Sequence, residues 1–515
     1  MFGNIKISII VFFALIAFSV NAQKLNTLRL EVPADIDVEG YNVEVLGELG
    51  VLVFYESNEL NQEKKRKWYF GLFDTQLKQK WLKFVPLVNK MQFIDSYFFG
   101  TKVHLLFRNI GRGRNEKGYY EIVSLDLVNN KFEQISGTFP AKAEISGFEV
   151  IDKYACLGIN LSKSETDLLF INLTNGVINP VKLAAGEDSF IETVYANQFS
   201  KEFYVALKVK KDNRYIKDLI HVFGPEGIAV EKFEIITDDN VRVLRKFCFE
   251  ALGKKQLLVF GVFDLHTGRL PDFDKMEDED KPKSAGLFFA GINNYKAGAI
   301  DFIDFSKLDN IHGSIAQRTV TKAKKTDGGG GAYGAFFNIS KPQLINNGDK
   351  YILSAELYKP HYRTETRMDY DFYGRPYPYT YSVFDGYLFF DVVVIALNKN
   401  GDLIWNNDYI IRDLKSFSVE RHSLVFSENQ FVTAAYVNNG RVYSEVFDGS
   451  MDIDSDESII ATNDGKDRID RDENNFIKQW YDGYFLIYGY QKILNRSLSK
   501  QNERTIFYLN KIAYK

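Results

Sequence analysis

The chain has 515 residues, with 64 Lys and Arg against 68 Asp and Glu and a net charge of −4. That balance excludes an extended basic face for nucleic acid, while an apolar share of 45% is ample for a packed fold. Two cysteines in such a length exclude a disulfide-stapled scaffold.

From the N-terminus, Met1 to Ala22 reads as an export signal: Lys6 gives a positive start, and Ile7 to Val20 is apolar apart from Ser8 and Ser19. Val20-Asn21-Ala22 then sets small residues before a cut at Gln23. The apolar stretch is shorter than the about 20 residues of a transmembrane helix, and no later segment is long and apolar enough to span a bilayer. The sequence therefore predicts residues 23–515 as one exported unit, periplasmic or extracellular, without a membrane span.

Thr27 to Val32 is a lone strand. After it, short strands recur in pairs about every fifty residues, each pair joined by a tight polar turn. Leu72-Phe73-Asp74-Thr75-Gln76-Leu77-Lys78 returns in altered form as Ser124 to Lys131, as Phe170 to Gly176 and as Ala396 to Gly401. Asn175-Gly176, Asn400-Gly401, Asn438-Asn439-Gly440 and Asp482-Gly483 supply residues that tolerate the positive φ of tight turns. Strands such as Gln256 to Phe260 and Asp391 to Ile395 are continuously apolar, as strands covered on both faces are. A period of roughly 40–50 residues built only from strands predicts an all-β propeller.

Eight units begin near Tyr41, Lys90, Glu144, Asp188, Val241, Ser340, Phe417 and Asn474, with seven as the alternative count. The last unit is one strand short, so Thr27 to Val32 is expected to complete it and close the ring. Cys156 and Cys248 fall in the third and fifth units and are read as buried, unpaired thiols, with a disulfide as the alternative that oxidising conditions outside the cell leave open.

Three insertions, near 264–284, 305–338 and 358–387, stretch units five and six. The first carries Asp272, Asp274, Glu277, Asp278, Glu279 and Asp280; the second carries the run Gly328 to Gly331. That glycine run lacks a P-loop pattern. The third is the most distinctive, with Tyr362, Tyr370, Tyr373, Tyr377 and Tyr379 interleaved with Arg363, Arg367 and Arg375. Tyrosine faces and arginine forks are typical of binding hot spots, and aromatic faces suit sugar rings. These eight residues are the candidate site for a protein or glycan partner. The competing reading packs the hairpin over the propeller face.

Asp452, Asp454 and Asp456, read as an acidic loop, raise calcium, but a glycine and a bidentate glutamate at EF-hand spacing are missing, so no cofactor and no metal are predicted. The six histidines are dispersed, no nucleophile elbow occurs, and His361 is the nearest thing to an acid–base group beside the tyrosines.

The strand pairs, with Leu397-Asn398-Lys399-Asn400-Gly401-Asp402-Leu403-Ile404-Trp405, resemble blades of exported bacterial β-propellers. The WD40 Trp-Asp ending and the kelch glycine pairs are absent, so the resemblance implies a fold and no residue roles. The expected function is non-enzymatic binding or scaffolding through the tyrosine-rich insertion. The alternative is a carbohydrate-active hydrolase with carboxylates in the channel.

Overall fold

The computed structural model describes residues 28–34, 40–109, 117–140, 143–161, 165–183, 188–211, 214–237, 242–265, 284–308, 337–428, 430–460, 462–495 and 503–513. The expected export signal, the acidic run at 272–280 and the glycine run at 328–331 lie outside the described residues. Among the described residues there is no α-helix, and the strands pair antiparallel into eight sheets.

Each sheet is a blade of four strands, in chain order in seven blades and with its outer strand taken from the N-terminus in the eighth. Two sheets count five because one strand is broken. The outer strand of blade 5 comes in two pieces, Lys296–Ala297 and Asp301–Asp304. The inner strand of blade 6 comes in two, Asn338–Ile339 and Gln343–Asn347, split around Lys341 and Pro342. The first strands of the eight blades start at Asn42, Gln92, Glu144, Asp188, Arg242, Asn338, Ser423 and Asp467. The sequence-based starts match closely for the first six; Phe417 falls six residues before the seventh and Asn474 seven residues after the eighth.

What holds the ring is visible in the middle strands. In Gln256–Leu265, Leu257, Val259 and Phe263 face blade 4, while Leu258, Phe260 and Val262 face blade 6. A strand alternates its side chains between two faces, and here both faces are covered. A separate apolar cluster fills every interface between successive blades, and one more, with Val51, Val53, Leu486 and Leu509, joins blade 8 to blade 1. Cys156 packs between blades 3 and 4 and Cys248 between blades 5 and 6, both buried and free.

At the rim an outer strand can be wet on both faces, and its side chains are then polar. Met451–Ile459, the outer strand of blade 7, is exposed along nearly its whole length. The Asp452 to Asp456 segment, expected as a loop, is therefore strand. Similarly, Asp467 to Glu473, expected before the last blade, opens that blade's inner strand Asp467–Gln479.

The recurring polar turn joins third to fourth strands and is built on one side chain. Asp74 Oδ1 accepts from the backbone N–H of Gln76 at 2.8 Å and of Lys78 at 2.9 Å. Asn398 Oδ1 does the same for Asn400 at 2.8 Å and Asp402 at 3.0 Å, with Gly401 at φ 96°. Such Asx turns replace backbone partners that the reversal leaves without a ladder bond.

Leu28–Pro33 is the outermost strand of blade 8, pairing from Leu28↔Lys511 to Pro33↔Ile506. The N-terminal strand thus closes the ring. Arg29 anchors it, donating to Gln491 Oε1 at 2.7 Å and lying 4.6 Å over the Tyr508 ring. Truncation through Pro33 removes this ladder and uncovers the edge of Glu503–Ala513. It is expected to lower the melting temperature by roughly 5 °C or more in a thermal scan; an unchanged melt contradicts the closure.

Candidate functional site

The first strand of each blade lines the central channel, and in five blades it bends there. Register breaks occur between Phe93 and Asp95, Ile145 and Gly147, Ile191 and Thr193, Arg245 and Cys248, and Glu473 and Phe476. A bulge re-aims a side chain. At Lys246 the backbone takes φ 51° to do so.

The charged groups set there are sorted by blade. Blades 1 to 4 supply Glu44, Asp95, Glu149 and Glu192; blades 5 to 8 supply Lys246, Lys341, Arg421 and Lys478, with Glu420 the exception. Their charges act on one another across the lumen: Lys341 acts on Asp95 and Glu149, and Glu44 and Glu420 act on Lys478.

Neighbouring blades are stitched here by hydrogen bonds. Ser96 Oγ donates to Glu44 Oε1 at 2.6 Å and Lys246 N to Glu192 Oε2 at 3.2 Å. Arg421 Nη2 donates to the Lys341 and Ser354 carbonyls at 3.2 and 3.1 Å. Buried Glu356 accepts from His422 N at 3.0 Å and from Ser423 N, and His422 Nδ1 lies 3.1 Å from the Asn475 carbonyl. A cavity of 540 Å³ opens between blades 6, 7 and 8, lined by Lys341, Arg421, Phe476 and Lys478 among others.

Two channel carboxyls are displaced from their ordinary range. Asp95 is open to channel water but ringed by protein, and loss of solvation pushes it up to about 6. Glu149 is pushed up to about 8, first by desolvation and then by the charge of Asp95. The sequence did not single out this pair among 68 acidic residues.

The second feature is the tyrosine-rich segment, which is no loop. Lys350–Tyr370 and Pro376–Asn398, strands of 21 and 23 residues, are the second and third strands of blade 6. Their neighbours stop at Tyr358 on one side and Tyr387 on the other. Beyond these the hairpin runs on as a two-stranded arm of roughly 30 Å, at about 3.3 Å per residue. Asp371 builds its tip, accepting from Tyr373 N and Arg375 N at 2.9 Å each, with Gly374 at φ 74°. His361 and Lys415 clamp its root through Asp385, at 3.3 and 2.8 Å.

Register sorts the eight expected site residues into three places. Arg363, Arg367, Tyr377 and Tyr379 share one face with Glu365, Asp369 and Tyr381. Tyr362 and Tyr370 lie on the opposite face, and Tyr373 and Arg375 sit at the tip. On the first face a charged strand stands beside an aromatic one: Arg367 lies 5.5 Å over Tyr379, and Tyr381 OH donates to Glu365 at 2.9 Å. The arm is largely solvent-exposed, Tyr373 at 79% and Phe372 at 97%. The alternative of a hairpin laid flat over the blades is not what is seen. Phe372 was passed over because a lone phenylalanine carries no pattern.

All long connections leave from one face. Within a blade, second-to-third links and blade-to-blade links emerge together; the chain leaves blade 5 at Leu265 and Leu308 and returns at Ser284 and Phe337, on the same face as the arm. Asp452, Asp454 and Asp456 alternate along an outer strand, and no group of three or more metal-ligating side chains occurs among the described residues. No helix among them is long and apolar enough to cross a membrane.

No family model and no curated protein matches the chain. Solved propeller structures do. The propeller domain of the Trilobed protease from Pyrococcus furiosus is 12% identical, covering 81% of this chain and 96% of that chain, with a TM-score of 0.32. The WD40 domain of SCAP from fission yeast is 8% identical over 95% and 98%, with a TM-score of 0.40. The periplasmic gluconolactonase of Pseudomonas aeruginosa is 10% identical over 82% and 99%, with a TM-score of 0.35. Likeness this distant carries no activity over; the propeller assignment rests on the strand pairing itself.

The displaced Glu149 carboxyl has a consequence for stability. Between its ordinary value of 4.5 and about 8, the folded chain keeps a proton that the unfolded chain releases. Stability therefore falls as pH rises through that window. Glu149→Gln is expected to flatten the decline in thermal melts from pH 5 to 9 and to raise the melt at pH 8. An unaltered pH profile contradicts the displacement.

Proposed function

We propose that the chain is an exported binding protein, a rigid propeller that presents its tyrosine arm to a protein or glycan partner. The observation that carries this reading is the arm itself. A monomeric fold gains nothing from holding exposed tyrosines and arginines some 30 Å from its core, and such side chains supply hot-spot contact area at little entropic cost. The sorted channel charges contribute rigidity, since their hydrogen bonds tie successive blades together.

The test is to replace residues 362–384 by Asn-Gly, joining His361 to Asp385 where they already meet. Capture of exported proteins and retention on glycan arrays are expected to be lost, with the melting temperature held within about 2 °C because little buried apolar surface goes. Undiminished binding would sink the reading.

A second reading has its own support. Asp95 and Glu149 sit in adjacent inner strands with values of about 6 and about 8, and a pair of carboxyls pushed apart is how acid and base roles are divided in glycoside cleavage. On this reading a polysaccharide screen detects turnover that Glu149→Gln reduces at least a hundredfold; absence of turnover leaves the binding role.

A further inference from the structure

The arm has two outer edges, and they are not alike. Cross-strand partners run from Tyr362↔Phe384 to Tyr370↔Pro376, and Asp371 N donates to the Arg375 carbonyl at 3.0 Å to close the tip. Antiparallel pairs alternate between hydrogen-bonded and non-hydrogen-bonded. Counting back from Asp371, residues 369, 367, 365 and 363 use their backbone groups inside the hairpin. Tyr362, Thr364, Thr366, Met368 and Tyr370 point theirs outward. The same count on the other strand points Pro376 and Pro378 outward, where they offer no N–H. Proline is a common device for blunting an edge. The 376–384 edge is thus partly closed to strand addition, while every outward residue of the 362–370 edge carries an N–H, that of Tyr370 turned to Asp369 Oδ1 at 3.0 Å. Among the described residues nothing pairs with it.

The side chains along the open edge form a charge palindrome. Arg363, Glu365, Arg367 and Asp369 alternate in sign on one face. Turned about a two-fold axis through Thr366 and laid antiparallel, the strand meets its own complement: Arg363 opposes Asp369 of the second copy, and Glu365 opposes Arg367. The outward backbone groups of Tyr362 meet those of Tyr370, Thr364 those of Met368, and Thr366 its equivalent. In this register the charged pairs occupy the non-hydrogen-bonded positions, where side chains approach most closely. In the single copy, Arg363 pairs with Glu365 at 2.7 Å and Arg367 with Asp369 at 3.6 Å, along the strand and in open solvent.

We propose that the open edge of the arm takes a second copy of this chain, so that two propellers are joined through a four-stranded sheet built from their arms. This rests on the reading of the arm as a docking element and names its partner. The joined sheet sets the ladders of Tyr377, Tyr379 and Tyr381 from both copies on one continuous face. Five ladder positions per copy make a small interface, which fits dissociation on the order of micromolar.

Sedimentation equilibrium of the wild-type chain from about 1 to 100 μM tests this, with the variants Glu365→Arg and Arg367→Glu. Each variant places like charges at both symmetry-related pairs and is expected to weaken self-association at least tenfold. Mixed in equal amounts, the two are mutually complementary and are expected to recover the wild-type dimer as a heterodimer. Both lie on the exposed arm, so the melting curve is the control for folding. A wild-type chain that stays monomeric at 100 μM, variants that dimerise undiminished, or a mixture that does not recover would each overturn the self-pairing. If the wild type is monomeric while arm-dependent capture of another molecule persists, the second copy is wrong and the docking role stands. If neither occurs, both fall.

Discussion

A blade of four strands has two apolar faces, and it can cover neither alone. Every part of this molecule follows from that requirement. Each blade borrows a face from the blade before it and lends one to the blade after, so a linear stack would end in two bare sheets. Only a ring removes the ends. The cluster of Val51, Val53, Leu486 and Leu509 between the last blade and the first is therefore the condition for the other seven interfaces. The N-terminal strand laid on Glu503–Ala513 secures that junction by placing the two ends of the chain in one sheet.

Closing the ring brings eight inner strands to one axis, which sets the second constraint. Backbones crowd there, and the bulges at Asp95, Glu192 and Lys246 turn side chains into the remaining space. Polar groups so placed need partners. Many find them on the next blade: Glu44 on Ser96, Glu192 on Lys246, and Glu356 on His422. The buried pair of Lys208 and Asp218, 2.9 Å apart, adds a further stitch, as Lys208 also donates to the Leu244 carbonyl of blade 5. The result is a stiff body. An arm rooted in the second and third strands of such a body is held in a defined direction, because its strands are continuous with the sheet that anchors them.

The architecture was legible in the sequence because it is periodic. Strand–turn–strand units, apolar middle strands and Asx turns at Asp74, Asp126, Asn172 and Asn398 repeat often enough to be counted, and the deficit of one strand at the C-terminal end pointed to Leu28–Pro33. What was not legible is aperiodic or depends on register. Asp452 to Asp456 reads as a loop because an outer strand, wet on both faces, loses the apolar alternation that marks a strand. The tyrosine segment was recognised by composition. Its division into a charged-and-aromatic face, an opposite face and a tip depends on the pairing Tyr370↔Pro376, which composition does not encode. The channel carboxyls were hidden for the opposite reason: Asp95 and Glu149 are ordinary residues until eight blades converge on them.

The most direct test of this account is native-state hydrogen exchange across the junction of the chain's two ends. The amides that bond Leu28–Pro33 to Glu503–Ala513 are expected to be protected with an opening free energy close to that of the middle strands of blades 3 to 5, since the ring opens only as a whole. Rapid exchange in those two strands, with protection kept elsewhere, would show that the blades are stable without closure and would contradict the central claim.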